Sequence, residues 1–322
     1  MTTPEDREAP AAKLASRERQ RAVLRAAHLY FLDGLTQAAV AERLGCTRWT
    51  VGRLLKEGED SGVVDIRIRH AQARVQHLET ELRARFGLVD VQVVGAQETS
   101  GQTMALVAQT AADYLADIRP RPDVVALAWG RTTSAVARAA VARWSPGTRV
   151  VQANAAPGEV DELLGSGAAR LLARKGPGAV TVFDEVLESS ISGVGQGVSS
   201  ASRRVVEEAE KADVVVFSPG GIPSSSIIVK SGFISLEELK ELWRLGARAN
   251  ILGRFIDAHA RPVSEELEDR VPAMSLESLS RVQCSLAVSS GPDKVTPLVA
   301  TLNGGLATAL ITDSETAKAL LE

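Results

Sequence analysis

Two patterns of apolar and polar positions divide the chain. From Leu88 onward, apolar residues come in short continuous runs at Val89–Val94, Val124–Ala128, Arg149–Gln152, Ala179–Val182, Val214–Phe217, Ser285–Val288 and Ala309–Thr312. Between them lie stretches with helical spacing, such as Ser100–Ala116, Thr133–Ala142, Val198–Ala209, Leu236–Leu245 and Val295–Leu302. Continuous rather than alternating runs are what strands buried on both faces require. Alternating them with helices predicts an α/β domain with a doubly wound, mostly parallel sheet. Before Leu88 the pattern is helical apart from a short alternating run at Val64–Ile68. A long helix over Lys13–Leu32 carries Leu24, Ala27 and Phe31 at helical spacing. A later one over His70–Phe86 carries a narrow stripe of Val75, Leu78, Leu82 and Phe86, which either packs on its own chain or forms a dimer seam. Residues 1–12, polar and rich in Pro and Glu, read as a disordered arm.

Between those two helices, Asp33–Ile68 has the layout of a helix-turn-helix followed by a wing. Thr36 can cap a short helix whose apolar face is Ala39, Val40 and Leu44, and Gly45-Cys46 supplies the tight turn. Thr47 caps a second helix on which Val51, Leu54 and Leu55 face inward. That leaves Arg48, Trp49, Thr50, Arg53 and Lys56 on the exposed side, where guanidinium, ammonium and hydroxyl groups suit base edges and phosphates. Val63-Val64-Asp65-Ile66-Arg67-Ile68 would form the wing. The expected organisation is an arm at 1–12, a winged helix-turn-helix at 13–70, a linker helix at 71–87 and an α/β domain at 88–322.

Composition adds bounds. A length of 322 residues with 45% hydrophobic content suits two domains with sizeable cores. The formal net charge is −3, yet Lys13–Arg69 holds eleven Lys and Arg against seven Asp and Glu, a local +4 that leaves −7 elsewhere. The basic balance therefore coincides with the helix-turn-helix. Met1–Arg7 has no apolar signal-peptide core and no run of eighteen apolar residues occurs, so a cytoplasmic protein without membrane spans is expected. Cys46 and Cys284 match no metal-ligand or disulfide spacing, so no metal site is expected.

In parallel sheets ligands sit at the carboxyl ends of strands. Val124–Ala128 runs into Trp129-Gly130-Arg131-Thr132-Thr133-Ser134, a glycine turn opening a helix. Its backbone N–H groups and hydroxyls suit a phosphate, although the same residues would equally serve as a plain turn and helix cap. Val214–Phe217 ends in Ser218-Pro219-Gly220-Gly221, whose glycines allow close approach of a ligand. Ser285–Val288 leads to Ser289-Ser290-Gly291-Pro292-Asp293-Lys294, and a lysine opening a helix opposes the helix dipole unless an anion is present.

The stretch Ala27–Leu55 resembles the helix-turn-helix of the SorC family of bacterial sugar-responsive transcription regulators. Ala128-Trp129-Gly130-Arg131-Thr132-Thr133, Gly246–Asp257 and Leu310-Ile311-Thr312-Asp313 are similar to that family's effector domain. The resemblance implies a sensor domain akin to phosphosugar isomerases and glucosamine-phosphate deaminases, without catalysis or cofactor, in dimers or tetramers. It further implies that Gly130, Arg131, Thr132, Thr133 and Lys294 hold a phosphate, that Gly220, Gly221 and Asp257 line the sugar, and that Asn154 is a further candidate. The chain departs from the pattern at Ala249-Asn250-Ile251, where Gly-Asp-Ile is usual, at Ser290-Gly291, where Gly-Gly is usual, and at Asp257-Ala258, where a glycine commonly follows the aspartate.

The expected function is operator DNA binding controlled by a sugar phosphate or related metabolite. Arg48 and Arg53 would contact bases or phosphates, supported by Thr47, Trp49 and Thr50, with Gln37 and Lys56 on phosphates of double-stranded DNA. A homodimer or homotetramer would read inverted half-sites about one helical turn, or a multiple of it, apart. The alternative is a sugar-phosphate isomerase or deaminase carrying a helix-turn-helix. Its base would have to come from His259 or from the acidic pair Asp184-Glu185.

Overall fold

The structure, a computed structural model, describes residues 18–64, 75–156, 165–183, 199–222, 229, 234–264 and 272–322. The chain divides into two units, Met1–Arg69 and His70–Glu322.

In the first unit a helix over residues 18–27 (α1) runs into a single wide turn of π-helix at His28–Leu32. Next come α2 (Gln37–Leu44) and α3 (Arg48–Asp60). Thr36 Oγ1 accepts the Ala39 N–H at 3.2 Å and Thr47 Oγ1 accepts the Thr50 N–H at 3.2 Å, so both predicted caps form. Gly45 closes α2 at φ 65°, a conformation that favours glycine. Val40, Ala41, Val51, Leu54 and Leu55 join Val23, Ala26 and Ala27 in one small core. Of the residues expected inward on α1, Ala27 is buried, but Leu24 and Phe31 are not. Leu24 is 55% exposed and Phe31 is exposed, while Val23 and Ala26 are buried. The reason is local: α1 meets α3 at Gly58, where Val23 Cγ1 lies only 3.4 Å from the position a Cβ would take. Val64 packs on the same glycine, its Cγ2 3.1 Å from that position, and wing residues 65–68 lie outside the described residues.

The second unit is built on a parallel sheet of seven strands: β1 (Asp90–Val94), β2 (Val124–Leu127), β3 (Arg149–Gln152), β4 (Val180–Thr181), β5 (Val214–Phe217), β8 (Cys284–Val288) and β9 (Ala309–Asp313). Their order is β1-β9-β8-β5-β2-β3-β4. All seven coincide with the apolar runs of the sequence. Alternate residues of each strand enter one of two apolar clusters, as doubly wound packing demands. Val91, Val93, Val124, Ala126, Val151, Val215 and Phe217 belong to one, and Val125, Leu127, Val150, Val214, Val216 and Leu286 to the other. On the first face lie α4 (Gln76–Phe86), α8 (Ser200–Ala209), α10 (Leu276–Arg281), α11 (Val295–Asn303) and α12 (Ser314–Leu321). On the second lie α5 (Ser100–Asp117), α6 (Arg131–Ala139) and α7 (Ser166–Lys175). The remaining named helix, α9 (Leu236–Arg244), centres a smaller apolar cluster with Phe255 and Trp129.

The stripe on α4 settles on its own chain. Leu78 and Leu82 are buried against β1 and α12, and the buried Glu79 Oε1 accepts the Val93 N–H at 2.9 Å. The pattern missed α7, α10 and α12, and it missed an antiparallel hairpin, β6 (Ala249–Ile251) with β7 (Arg254–Ile256). Strands of three residues are too short to leave a period. The hairpin turn is Leu252-Gly253, both at positive φ (52° and 90°), without the Asn-Gly or Asp-Gly signature of such turns.

Candidate functional site

Two regions gather the residues singled out in the sequence. On the first unit, Gln37, Arg48, Trp49, Arg53 and Lys56, together with Gly52, line a shallow concavity of about 520 Å³. Burying Val51, Leu54 and Leu55 fixes the rotation of α3 and therefore turns this set outward. Trp49 is 70% exposed, and the Arg53 guanidinium lies over its ring at 4.9 Å. That cation–π contact holds one long side chain against another without using its N–H donors. Lys56 is paired with Asp60 at 3.1 Å and Glu59 at 3.7 Å, which holds its ammonium above the usual lysine range. Thr47 and Thr50 share a 2.9 Å hydroxyl bond at the start of α3 and serve the cap.

On the second unit, strand order places the reversal of winding between β5 and β2, the position where open α/β sheets present ligand crevices. Register aligns the strand ends there: Leu127 pairs with both Gln152 and Val216, and Val216 with Leu286. Gly130 follows β2, Pro219-Gly220 follows β5, and Lys294 follows β8. Gly130, at φ 141°, occupies the N-cap of α6 and no side chain caps the helix. Thr133 and Ser134 donate their hydroxyls back to the Gly130 carbonyl, at 3.1 and 2.7 Å. A cap by Thr132 or Thr133 does not form, and among the described residues no side chain accepts the first N–H groups of α6.

Lys294 Nζ donates to the Pro219 carbonyl at 2.7 Å, which ties the turn after β8 to the turn after β5. Burial pushes its pKa down to about 8, the Arg131 guanidinium pushes it the same way, and Asp293 only partly offsets them. Two cations thus lie within electrostatic reach of one another, Arg131 being the first residue of α6. Asp313 positions this turn. Its Oδ1 accepts the Glu315 and Thr316 N–H groups, capping α12, while its Oδ2 accepts the Gly291 N–H at 3.2 Å and the Thr316 hydroxyl at 2.6 Å. Burial acts to raise the Asp313 pKa, but those donors win and lower it.

The β6–β7 hairpin roofs the strand ends. Gly220 and Asn250 exchange backbone hydrogen bonds at 2.8 Å each way. Arg254, buried, donates to the Met274 and Ala273 carbonyls at 2.8 and 3.2 Å, and that segment pairs with Ala153 and Ala155 beyond β3. Among the described residues four buried polar side-chain atoms at or beside these strand ends have no partner, Asn154 Oδ1, Asn250 Nδ2, Ser218 Oγ and Ser289 Oγ, as does Thr312 Oγ1 on β9. Leaving one such atom unpaired costs roughly 1–3 kcal/mol, so a cluster of four at strand ends points to a polar ligand. Asn250 Oδ1 accepts the Gly253 N–H at 3.3 Å, which fixes the amide with its Nδ2 free.

Of the sequence candidates, Gly130, Arg131, Gly220 and Lys294 come together, and Asn154 reaches the same edge from β3. Thr132 and Thr133 are buried beneath the turn. Gly221 continues the turn that the hairpin pairs. Asp257 is held in its own turn: Oδ1 accepts the His259 and Arg261 N–H groups at 2.8 and 3.0 Å, and Oδ2 accepts Arg261 Nε at 3.1 Å. Although burial acts to raise its pKa, those donors lower it. His259 is exposed, and Asp184-Glu185 lies outside the described residues. Sequence reasoning missed Ser218 and Ser289, each the first polar residue after a buried strand, and Asn250, whose role depends on the hairpin above it.

Among the described residues no helix is long and apolar enough to cross a membrane. Residues 70–322 match the Sugar-bind family model, which describes a sugar-binding domain. The chain is 30% identical over 303 residues to the transcriptional regulator LsrR of Enterobacter sp. (strain 638), covering 93% of this chain and 92% of that protein. It is 28% identical over 316 residues to the deoxyribonucleoside regulator of Bacillus subtilis (strain 168), covering 95% and 98%. The full-length sorbitol operon regulator SorC from Klebsiella pneumoniae shares the fold, with a TM-score of 0.68 and 21% identity over 94% of this chain and 99% of that one. A DeoR family transcriptional regulator from Listeria monocytogenes does likewise over 76% and 98%, with a TM-score of 0.66 and 21% identity. The chain belongs to the SorC/DeoR-type family of sugar-binding transcriptional regulators.

Proposed function

We propose that the protein binds operator DNA through α3 and that a phosphorylated sugar, seated at the strand ends of the second unit, sets its operator affinity. The observation that carries the sugar-phosphate reading is the buried Lys294 ammonium, tied to the Pro219 carbonyl at 2.7 Å and close enough to Arg131, the first residue of α6, for the two charges to repel. A phosphate dianion would balance both cations and accept the N–H groups of the Gly130–Thr133 turn. Asn154, Ser218, Gly220, Gly221, Asn250 and Ser289 would surround the hydroxylated part of the ligand, with Asp257 stiffening the adjoining turn. Arg48 and Arg53 would reach bases or phosphates, and Gln37, Thr50 and Lys56 would support them.

The ligand changes operator affinity only to the extent that it binds the DNA-competent and incompetent arrangements unequally. We further propose a homodimer or homotetramer reading inverted half-sites. Duplex DNA from upstream of the protein's own gene, retained in a gel shift and titrated with a panel of sugar phosphates, tests the switch. Trp129, next to Gly130, reports binding by its fluorescence. At least one phosphorylated sugar should change both signals, and the reading fails if none changes either while free sugars or polyols do.

A further inference from the structure

Helix α3 contains two glycines, and only one of them has a reason within the chain. Glycine in a helix interior is destabilising relative to alanine, because it loses more conformational freedom on folding. At Gly58 the reason is contact: an added Cβ would sit 3.1 Å from Val64 Cγ2 and 3.4 Å from Val23 Cγ1. At Gly52 an added Cβ would meet nothing within 4 Å. The backbone there is ordinary α-helix, with no positive φ that would call for glycine. Gly52 instead lies in the middle of the concavity formed by Gln37, Arg48, Trp49, Arg53 and Lys56.

We infer that Gly52 is a specificity-determining position that admits the C5-methyl group of a thymine in the major groove, with the exposed Trp49 ring one helical turn away in the same concavity. The inference rests on the proposed reading of α3 as the DNA-contacting helix. Thymine presents the one apolar group on the major-groove edges, and it discriminates a T·A pair from the other three. A bare Cα one helical turn from the exposed Trp49 indole leaves an open notch, because an added Cβ there would meet nothing within 4 Å. Around that notch stand Arg48, Arg53, Lys56 and Gln37, donors suited to neighbouring base edges and phosphates. Because Arg53 is already stacked on Trp49, a base seated in the notch would find the guanidinium beside it. A side chain at position 52 would fill the notch while leaving the fold untouched.

Stability and recognition should therefore move in opposite directions. The full-length protein is used to enrich duplexes from a random-sequence pool, and the enriched duplex is remade with deoxyuridine at each thymine in turn, which removes only the methyl. Wild-type protein should lose affinity at one thymine per half-site. Gly52→Ala should keep or raise the melting temperature, bind the thymine duplex roughly tenfold or more weakly, in line with the loss of one base contact, and no longer distinguish deoxyuridine at that site. Gly52→Ser, which also adds only a small side chain, should behave alike, and Trp49→Ala should erase the same discrimination. Gly52→Ala binding as tightly as wild type, or wild-type indifference to every deoxyuridine, overturns the inference. Failure of the wild-type protein to enrich any duplex overturns instead the reading of α3 on which it rests.

Discussion

The two regions are assembled in different ways. The one on α3 takes its residues from a single stretch, Gln37 to Lys56, held by two capped helices and a core of small and branched side chains. The one at the strand ends draws on turns spread from Gly130 to Lys294, brought level by strand register and closed by a hairpin. The first is a surface whose residues point outward because their neighbours point inward. The second is an interior whose polar atoms are left over once the backbone has paired. A surface of the first kind tolerates substitution with little loss of fold, whereas the second is coupled to the turns that build it.

The largest effect should separate the two regions outright. Replacing Arg48 and Arg53 together by alanine should abolish operator retention in a gel shift, each arginine being worth roughly 1–3 kcal/mol of discrimination where it is bidentate to guanine. The sugar-phosphate titration followed at Trp129 should stay unchanged. Loss of ligand binding in that variant would break the division between the regions.

Next in size, Lys294→Met should weaken phosphorylated ligands by roughly 1.5–3 kcal/mol, the range of a hydrogen bond to a charged group, and leave ligand-free operator binding intact. The same lysine gives a pH signature. Its pKa of about 8 lies below the ordinary 10.5, so between those values the unfolded chain holds the proton that the folded one has released. Without ligand, the Lys294 contribution to stability therefore rises with pH from about 8 to 10.5. A bound phosphate favours the ammonium and raises that pKa, so binding should take up a proton near pH 8 to 9 and weaken as pH rises further. Calorimetry in buffers of different ionisation heat measures the uptake, and a binding heat independent of buffer would count against Lys294 as the phosphate partner.

A smaller effect is expected at Asp313, which touches no proposed ligand. Asp313→Ala should cost about 1 kcal/mol of stability as a lost cap and weaken ligand binding by leaving Gly291, the residue that aims the Lys294 turn, held only by Thr316 Oγ1 at 2.9 Å. Asp257→Asn should do least. Its carboxylate is engaged with Arg261 and two N–H groups, one of them that of His259, so thermal stability should drop slightly while ligand affinity holds. A large loss of affinity there would return Asp257 to direct contact with the sugar.

The regions also differ in how far they could be read from the sequence. On α3, the caps Thr36 and Thr47 and the spacing of Val51, Leu54 and Leu55 sufficed to name every polar or aromatic residue of the concavity. What escaped was Gly52, since a glycine has no side chain to place on a face. The error at Leu24 on α1 has the same root: Leu24 and Val23 are equally apolar, and only the close approach at Gly58 selects between them. At the strand ends, the turns after β2, β5 and β8 were visible as glycine-rich breaks after apolar runs. Their convergence was not visible, because it depends on β8 lying next to β5 although about seventy residues separate them.

Local chemistry therefore settled the elements of this protein: the helix-turn-helix by its caps and spacing, and each strand of the sheet by an apolar run that only a twice-covered strand can bury. The tertiary structure decided which of those elements meet. Strand order sets Lys294 against Pro219 and near Arg131, Asn250 Nδ2 and Asn154 Oδ1 are left buried without partners among the described residues, and Asp313 rather than Asp257 supports the lysine turn. Periodicity records only whether a residue faces water or core, whereas an unpaired hydrogen bond or an unneutralised charge exists only relative to neighbours that the fold brings from elsewhere in the chain.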